Sequence, residues 1–124
     1  MTCGLFNDES LYKFNNIKLD YIGTSSKAIF YFSYNDIYMN KIYGSNISCS
    51  GDIGDSSFIL FDSGEDNKKL YINDMHIFQG LLNGSLIKIK GINSDVSITY
   101  SDFCYINTSG SVLENISNMV IYKY

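Results

Sequence analysis

The chain has 124 residues, 45% of them apolar, and a formal net charge of −4, which fits one domain with a real core. It contains no Arg, Pro or Trp, and without a basic face it lacks the phosphate contacts that nucleic acid requires. No stretch approaches the ~20 continuous apolar residues of a membrane helix, so no membrane insertion is expected.

In chain order, Met1-Thr2-Cys3-Gly4 leads directly into Asn7-Asp8-Glu9, with no secretory signal. Residues 1–14 do not share the strand pattern of the rest of the chain and read as an N-terminal cap. Within it, Asp8-Glu9-Ser10 would start a short turn, or Leu11–Phe14 would form a covering strand. A stacked sheet must protect its terminal rung in some such way.

From residue 15 to 124 two strand patterns alternate. The first is an apolar–x–apolar triplet: Ile17-Lys18-Leu19, Ile37-Tyr38-Met39, Leu70-Tyr71-Ile72, Val96-Ser97-Ile98 and Met119-Val120-Ile121. The second is a denser run: Ala28–Phe32, Phe58–Phe61, Leu86–Ile89 and Val112-Leu113. Leu70 and Val96, Ile72 and Ile98, and Ile87 and Leu113 are each 26 residues apart. Such a period marks stacked units that bury their apolar faces against one another. Period-two alternation, β-branched residues and frequent Gly or Asn give helices little support.

The expected fold is therefore all-β, a short parallel β-helix of about four to five rungs. Rung one covers 15–35, rung two 36–67, rung three 68–94 and rung four 95–118, with a partial fifth. An antiparallel sandwich is the main alternative, but it gives no reason for a 26-residue register across whole units. Alternation places Lys18, Tyr38, Tyr71 and Ser97 in one outer column, and Lys88 beside Glu114 in another. Rung two is swollen within Tyr43–Ser57, and its return loop Asp62–Asn67 is long and acidic. Such departures from a regular scaffold are where function concentrates.

Chemistry-bearing motifs are sparse. The single His76 follows Asn73-Asp74-Met75 and reads as structural or merely exposed. No G-x-S-x-G nucleophile motif is present. Gly51–Asp55 and Asp62–Asp66 bring five carboxylates near rung two, but neither follows a calcium-loop pattern, and they read as solvated loops. No cofactor is expected. Cys3, Cys49 and Cys104 have no metal-type spacing. They read as three buried thiols, with a Cys3–Cys49 bridge as the alternative. Asn46, Asn83, Asn107 and Asn115 open glycosylation acceptor triplets, while Asn115 has a second reading as a stacked ladder residue.

The repeat resembles right-handed parallel β-helices, the class that includes pectin-degrading enzymes and surface adhesins. The stretches Ser48–Asp52, Ser57–Asp62 and Gly84–Ile89, with the Asn, Ile, Tyr and Lys bias, are similar to repeat modules of anaerobic fungal cellulosome scaffoldins. That resemblance covers about residues 15–121. It implies a right-handed coil and a non-enzymatic, cohesin-like module of an extracellular scaffoldin, holding dockerin-bearing plant-cell-wall-degrading enzymes beside neighbouring repeats of the same parent chain. The binding face is expected at Tyr38, Tyr71 and Tyr43, with Asp52, Asp55, Asp62, Glu65 and Asp66 from the flanking loops. The alternatives are a carbohydrate-binding or adhesin segment, with Tyr rings stacking on sugars, and a fragment of a polysaccharide lyase or hydrolase.

Overall fold

A computed structural model describes residues 11–52 and 56–115. Among these every regular element is a strand: β1 (Leu11–Thr24), β2 (Ala28–Ser33), β3 (Asp36–Cys49), β4 (Ser57–Asp62), β5 (Asn67–Leu82), β6 (Ile87–Lys90), β7 (Asn93–Thr99), β8 (Asp102–Thr108) and β9 (Leu113–Asn115). The strands form two sheets, β1-β3-β5-β7 with β8 also on β5, and β2-β4-β6-β9. All seven pairings are parallel. The protein is a parallel β-solenoid of about four rungs, and the antiparallel alternative is excluded.

Each long strand is three short strands joined at two corners. The corners are left-handed residues in two columns, Asn16, Lys41, Asp74 and Tyr100, then Tyr21, Asn46, Gln79 and Tyr105. A left-handed residue bends a strand and resets its alternation. In β3 the inward positions are therefore Ile37 and Met39, Ile42 and Gly44, then Ile47 and Cys49, spaced by two within a segment and by three across each corner. In β5 they are Leu70, Ile72, Met75, Ile77 and Leu82.

This pattern corrects the expected register of rung one. Ile37 pairs with Tyr12, whereas Ile17 pairs with Ile42. The Ile17-Lys18-Leu19 triplet is thus the second segment of its rung, and Lys18 stacks below Tyr43 rather than Tyr38. Leu11–Phe14 belong to β1 and pair with β3, so this part of the expected cap is itself within the first rung. On the short sheet, Phe30 rather than Ile29 lines up with Ile59, Ile87 and Leu113. Residues 1–10, with Cys3, and 116–124, with the Met119–Ile121 triplet, lie outside the described residues.

The core runs along the axis, with Phe30, Phe32, Phe58, Phe61, Ile37, Ile59, Leu70 and Ile72 all nearly inaccessible. At the lower end Phe14 lies 5.3 Å from Phe32, and Phe30 meets Phe58 edge-on at 5.4 Å, geometries that aromatic pairs favour. Leu60 points out of the short sheet yet is buried, between Tyr31 and Lys88 of the adjacent rungs; a Lys stem can cover apolar surface in this way. The Lys88 ammonium lies 3.9 Å from Glu114, as the 26-residue spacing predicts.

Outside, a polar ladder ties the rungs at the position before the first corner. Asn40 donates to Asn15 at 3.2 Å, Asn73 to Asn40 at 2.8 Å, and Thr99 to Asn73 at 2.8 Å. Sequence reasoning did not find this ladder, because its members are 25, 33 and 26 residues apart.

Candidate functional site

The outer face of the long sheet carries two adjacent aromatic columns on either side of the first corner. In the first, Tyr38 and Tyr71 lie one above the other, ring centroids 4.9 Å apart and tilted by 33°. In the second, Tyr43 stacks on His76 at 5.4 Å and 13°. The left-handed corner at Lys41 and Asp74 bends the strands between them, so the two columns flank that corner. Tyr38 and Tyr71 are half-buried against each other, while Tyr43 is exposed.

His76 is held at both ring nitrogens. Nδ1 lies 2.8 Å from Asp102 and Nε2 lies 2.6 Å from Asp74. Asp74 stands at the left-handed corner of β5, which aims its carboxylate back at the ring, and Asp102 is the register partner of His76 on β8. A neutral imidazole has only one N–H, so both contacts are satisfied together only by the imidazolium. The hydrogen bonds to Asp102 and Asp74, with their charges, raise the His76 pKa above its ordinary value, against a smaller opposing effect of burial. In that state no ring lone pair remains to take a proton. Tyr43 bonds Asp74 at 3.4 Å; loss of solvent and this carboxylate both raise its phenol pKa.

A shallow depression of about 350 Å³ lies beside His76, lined also by Thr99, Tyr100, Ser101 and Asp102. Ser101 is committed there to the backbone, donating to the Thr99 carbonyl at 2.9 Å and accepting from the Met75 N–H at 3.1 Å. It lacks the hydrogen-bonded base that an activated nucleophile needs.

The acidic residues expected to complete one site are not brought together. Asp52 lies on the loop after β3, beside Ser25, Ser26 and Lys27. Asp62, Glu65 and Asp66 lie at the other end of β4, about 20 Å away by strand length. Asp62 accepts from the Gly64 N–H at 2.9 Å and shapes the turn into β5, while Glu65 and Asp66 are exposed. The turn leads onto the strand bearing Tyr71, so it flanks the aromatic face; the Asp52 loop does not. Asp55 lies outside the described residues. Among the described residues no three His, Cys, Asp or Glu side chains are grouped to hold an ion.

The second corner carries a feature that sequence reasoning missed. Tyr21 and Tyr105, at opposite ends of this corner column, are 80% and 78% exposed, and Tyr105 meets exposed Phe78 edge-on. A depression of about 500 Å³ spans Asn46–Ser48, Gln79–Leu81 and Tyr105 and contains no charged side chain. Only the spacing of inward residues by three marks such corners in a sequence. Of the candidate glycosylation sites, Asn107 is exposed, whereas the Asn83 amide donates to the Gly51 carbonyl at 3.0 Å. The Asn115 side chain lies outside what the structure describes. Cys49 is a buried free thiol, but Cys104 is exposed on β8, contrary to its reading as a buried residue.

No protein family, no curated protein and no solved structure matches this chain.

Proposed function

We propose that the chain is a non-catalytic protein-binding module, with its binding face on the outer side of the long sheet. The observation that carries this reading is the pairing of Tyr38 with Tyr71 and of Tyr43 with His76 in columns on the two sides of the first corner. Tyr offers large contact area at low conformational cost and is favoured at interface hot spots. Here the rings are set by strands rather than loops, so little ordering is required on binding. The acidic turn Asp62–Asp66 on the flank of the face adds steering toward a basic partner. The cohesin-type resemblance supplies the partner class, a dockerin-bearing secreted enzyme, and with it an extracellular setting within a larger protein.

The test is affinity for a dockerin module after Tyr43→Ala, and separately after Tyr38→Ala with Tyr71→Ala, folding being checked by circular dichroism. The expected loss is about tenfold or more for Tyr43→Ala. A folded variant of each kind that binds as tightly as the parent overturns this face; a parent that binds no dockerin overturns the partner class.

Carbohydrate binding is the second reading, favoured by one observation. The second corner presents exposed Tyr105 and the amides of Asn46 and Gln79 around an uncharged hollow, the chemistry that receives a neutral sugar. Retention on insoluble polysaccharide, lost in Tyr105→Ala, would select this reading over the first.

A further inference from the structure

We propose that His76 is a proton-operated staple that holds three successive rungs of the outer face together. The ring stands on rung three and touches every level around it. Tyr43 of rung two stacks on its face, Asp74 of its own strand meets Nε2, and Asp102 of rung four meets Nδ1. Lys18 lies one rung beyond Tyr43 in the same column, and Lys41 stands opposite Asp74 at the corner. Tyr100, next in that corner column, lines the depression beside the ring; among the described residues these, with Tyr43 and the two carboxylates, are the titratable and charged groups that face the imidazole along its own column and at the adjoining corner.

With its proton, the imidazolium donates at both ends and is neutralised by the two carboxylates. Without it, one nitrogen turns a lone pair toward a carboxylate oxygen less than 3 Å away, and that contact becomes repulsive. Asp102 is the partner free to leave, since its side chain is 63% exposed against 30% for Asp74, and Asp74 is also bound by Tyr43. Loss of the proton therefore opens the seam between rungs three and four in this column and frees the ring that supports Tyr43. The folded-state pKa is raised, so by linkage the stabilisation is full below the unfolded value of about 6.5 and is lost as pH rises through the folded value. The staple is closed at about pH 6 and open in alkali. This inference does not depend on which ligand the face carries.

Because the chain has a single His, its imidazole resonances in a proton–carbon NMR titration of the intact protein belong to His76 alone. The expected midpoint lies above about 6.5, and Asp102→Asn lowers it. The melting temperature of the parent should exceed that of His76→Gln at about pH 6, with the gap closing by about pH 9. Groups that titrate in both proteins cancel in that comparison. A parent midpoint at or below the unfolded value, a midpoint unmoved by Asp102→Asn, or a gap constant across the range overturns the staple. If His76→Gln does not fold, the titrations of the parent and of Asp102→Asn decide.

Discussion

Cys49 and Cys104 show how position on one fold sets the chemistry of a side chain. Cys49 closes the inward row of β3, its thiol 3.4 Å from the Ser57 carbonyl, and burial pushes its pKa up to about 11. The thiolate is the reactive form, so Cys49 is protected by both burial and protonation. Cys104 sits on the outer face of β8 beside Phe78. Iodoacetamide on the native protein, read by peptide mass spectrometry, should label Cys104 readily and Cys49 only after denaturation. Native labelling of Cys49 at the rate of Cys104 would contradict the inward register of β3. Gly64 is constrained in another way. It has φ +70°, and a Cβ there would stand 2.4 Å from the Tyr34 ring. Both the backbone and the contact therefore favour glycine at that turn.

Among the elements, the corners of the long strands are where the sequence departs furthest from local preference. Left-handed backbone costs an L-residue about 1–2 kcal/mol, with Asn the cheapest after Gly. The chain uses Asn at Asn16 and Asn46 but Tyr at Tyr21, Tyr100 and Tyr105. Tyr21 is 80% exposed, so little burial offsets its strain. Tyr21→Asn should stabilise the fold by about 0.5–1 kcal/mol, seen as a higher denaturation midpoint with an unchanged slope. A fall in the midpoint would mean that the Tyr21 ring contributes packing worth more than its backbone costs. Tyr105 is a less clean test, since its ring also meets Phe78 edge-on at 5.3 Å.

At the scale of the whole molecule, stability accumulates along a line. Each rung contacts its neighbours above and below, and the strongest couplings should lie in the middle of the stack. Ile72 is 1% exposed and lies between Met39 and Ile98. Ile72→Ala should cost about 2–5 kcal/mol, a large share of the ~5–15 kcal/mol that holds a typical domain together. Tyr71→Ala, one residue away on the outer face, should cost much less. Equal losses in denaturant melts of the two variants would mean that inner and outer faces are not distinguished as described.

The sequence by itself determined that the chain is built from parallel strands in stacked units, and which side chains of the first triplet and of the dense run face inward in rungs two to four; the inward Ile42, Ile47, Met75, Ile77 and Leu82 beyond the first corner came only with the structure. Alternation along a strand follows from local backbone geometry, so Ile37, Leu70 and Val96 announce their face without help from the rest of the chain. It determined the Lys88–Glu114 pair as well, because no insertion separates the last two rungs. Tertiary structure decided the columns. Rung-to-rung offsets run from 25 residues between β1 and β3 to 29, 33, 28 and finally 26. Register depends on how loops absorb those differences, and apolar triplets from different segments of a rung look alike. That is why alternation alone aligns Lys18 with Tyr38, and why it joins Asp52 to a site that lies at the far end of β4. The His76 cluster is out of reach of the sequence for the same reason. Asp74 is two residues away in the chain, but Tyr43 and Asp102 reach the ring only once the 33- and 26-residue steps have been closed.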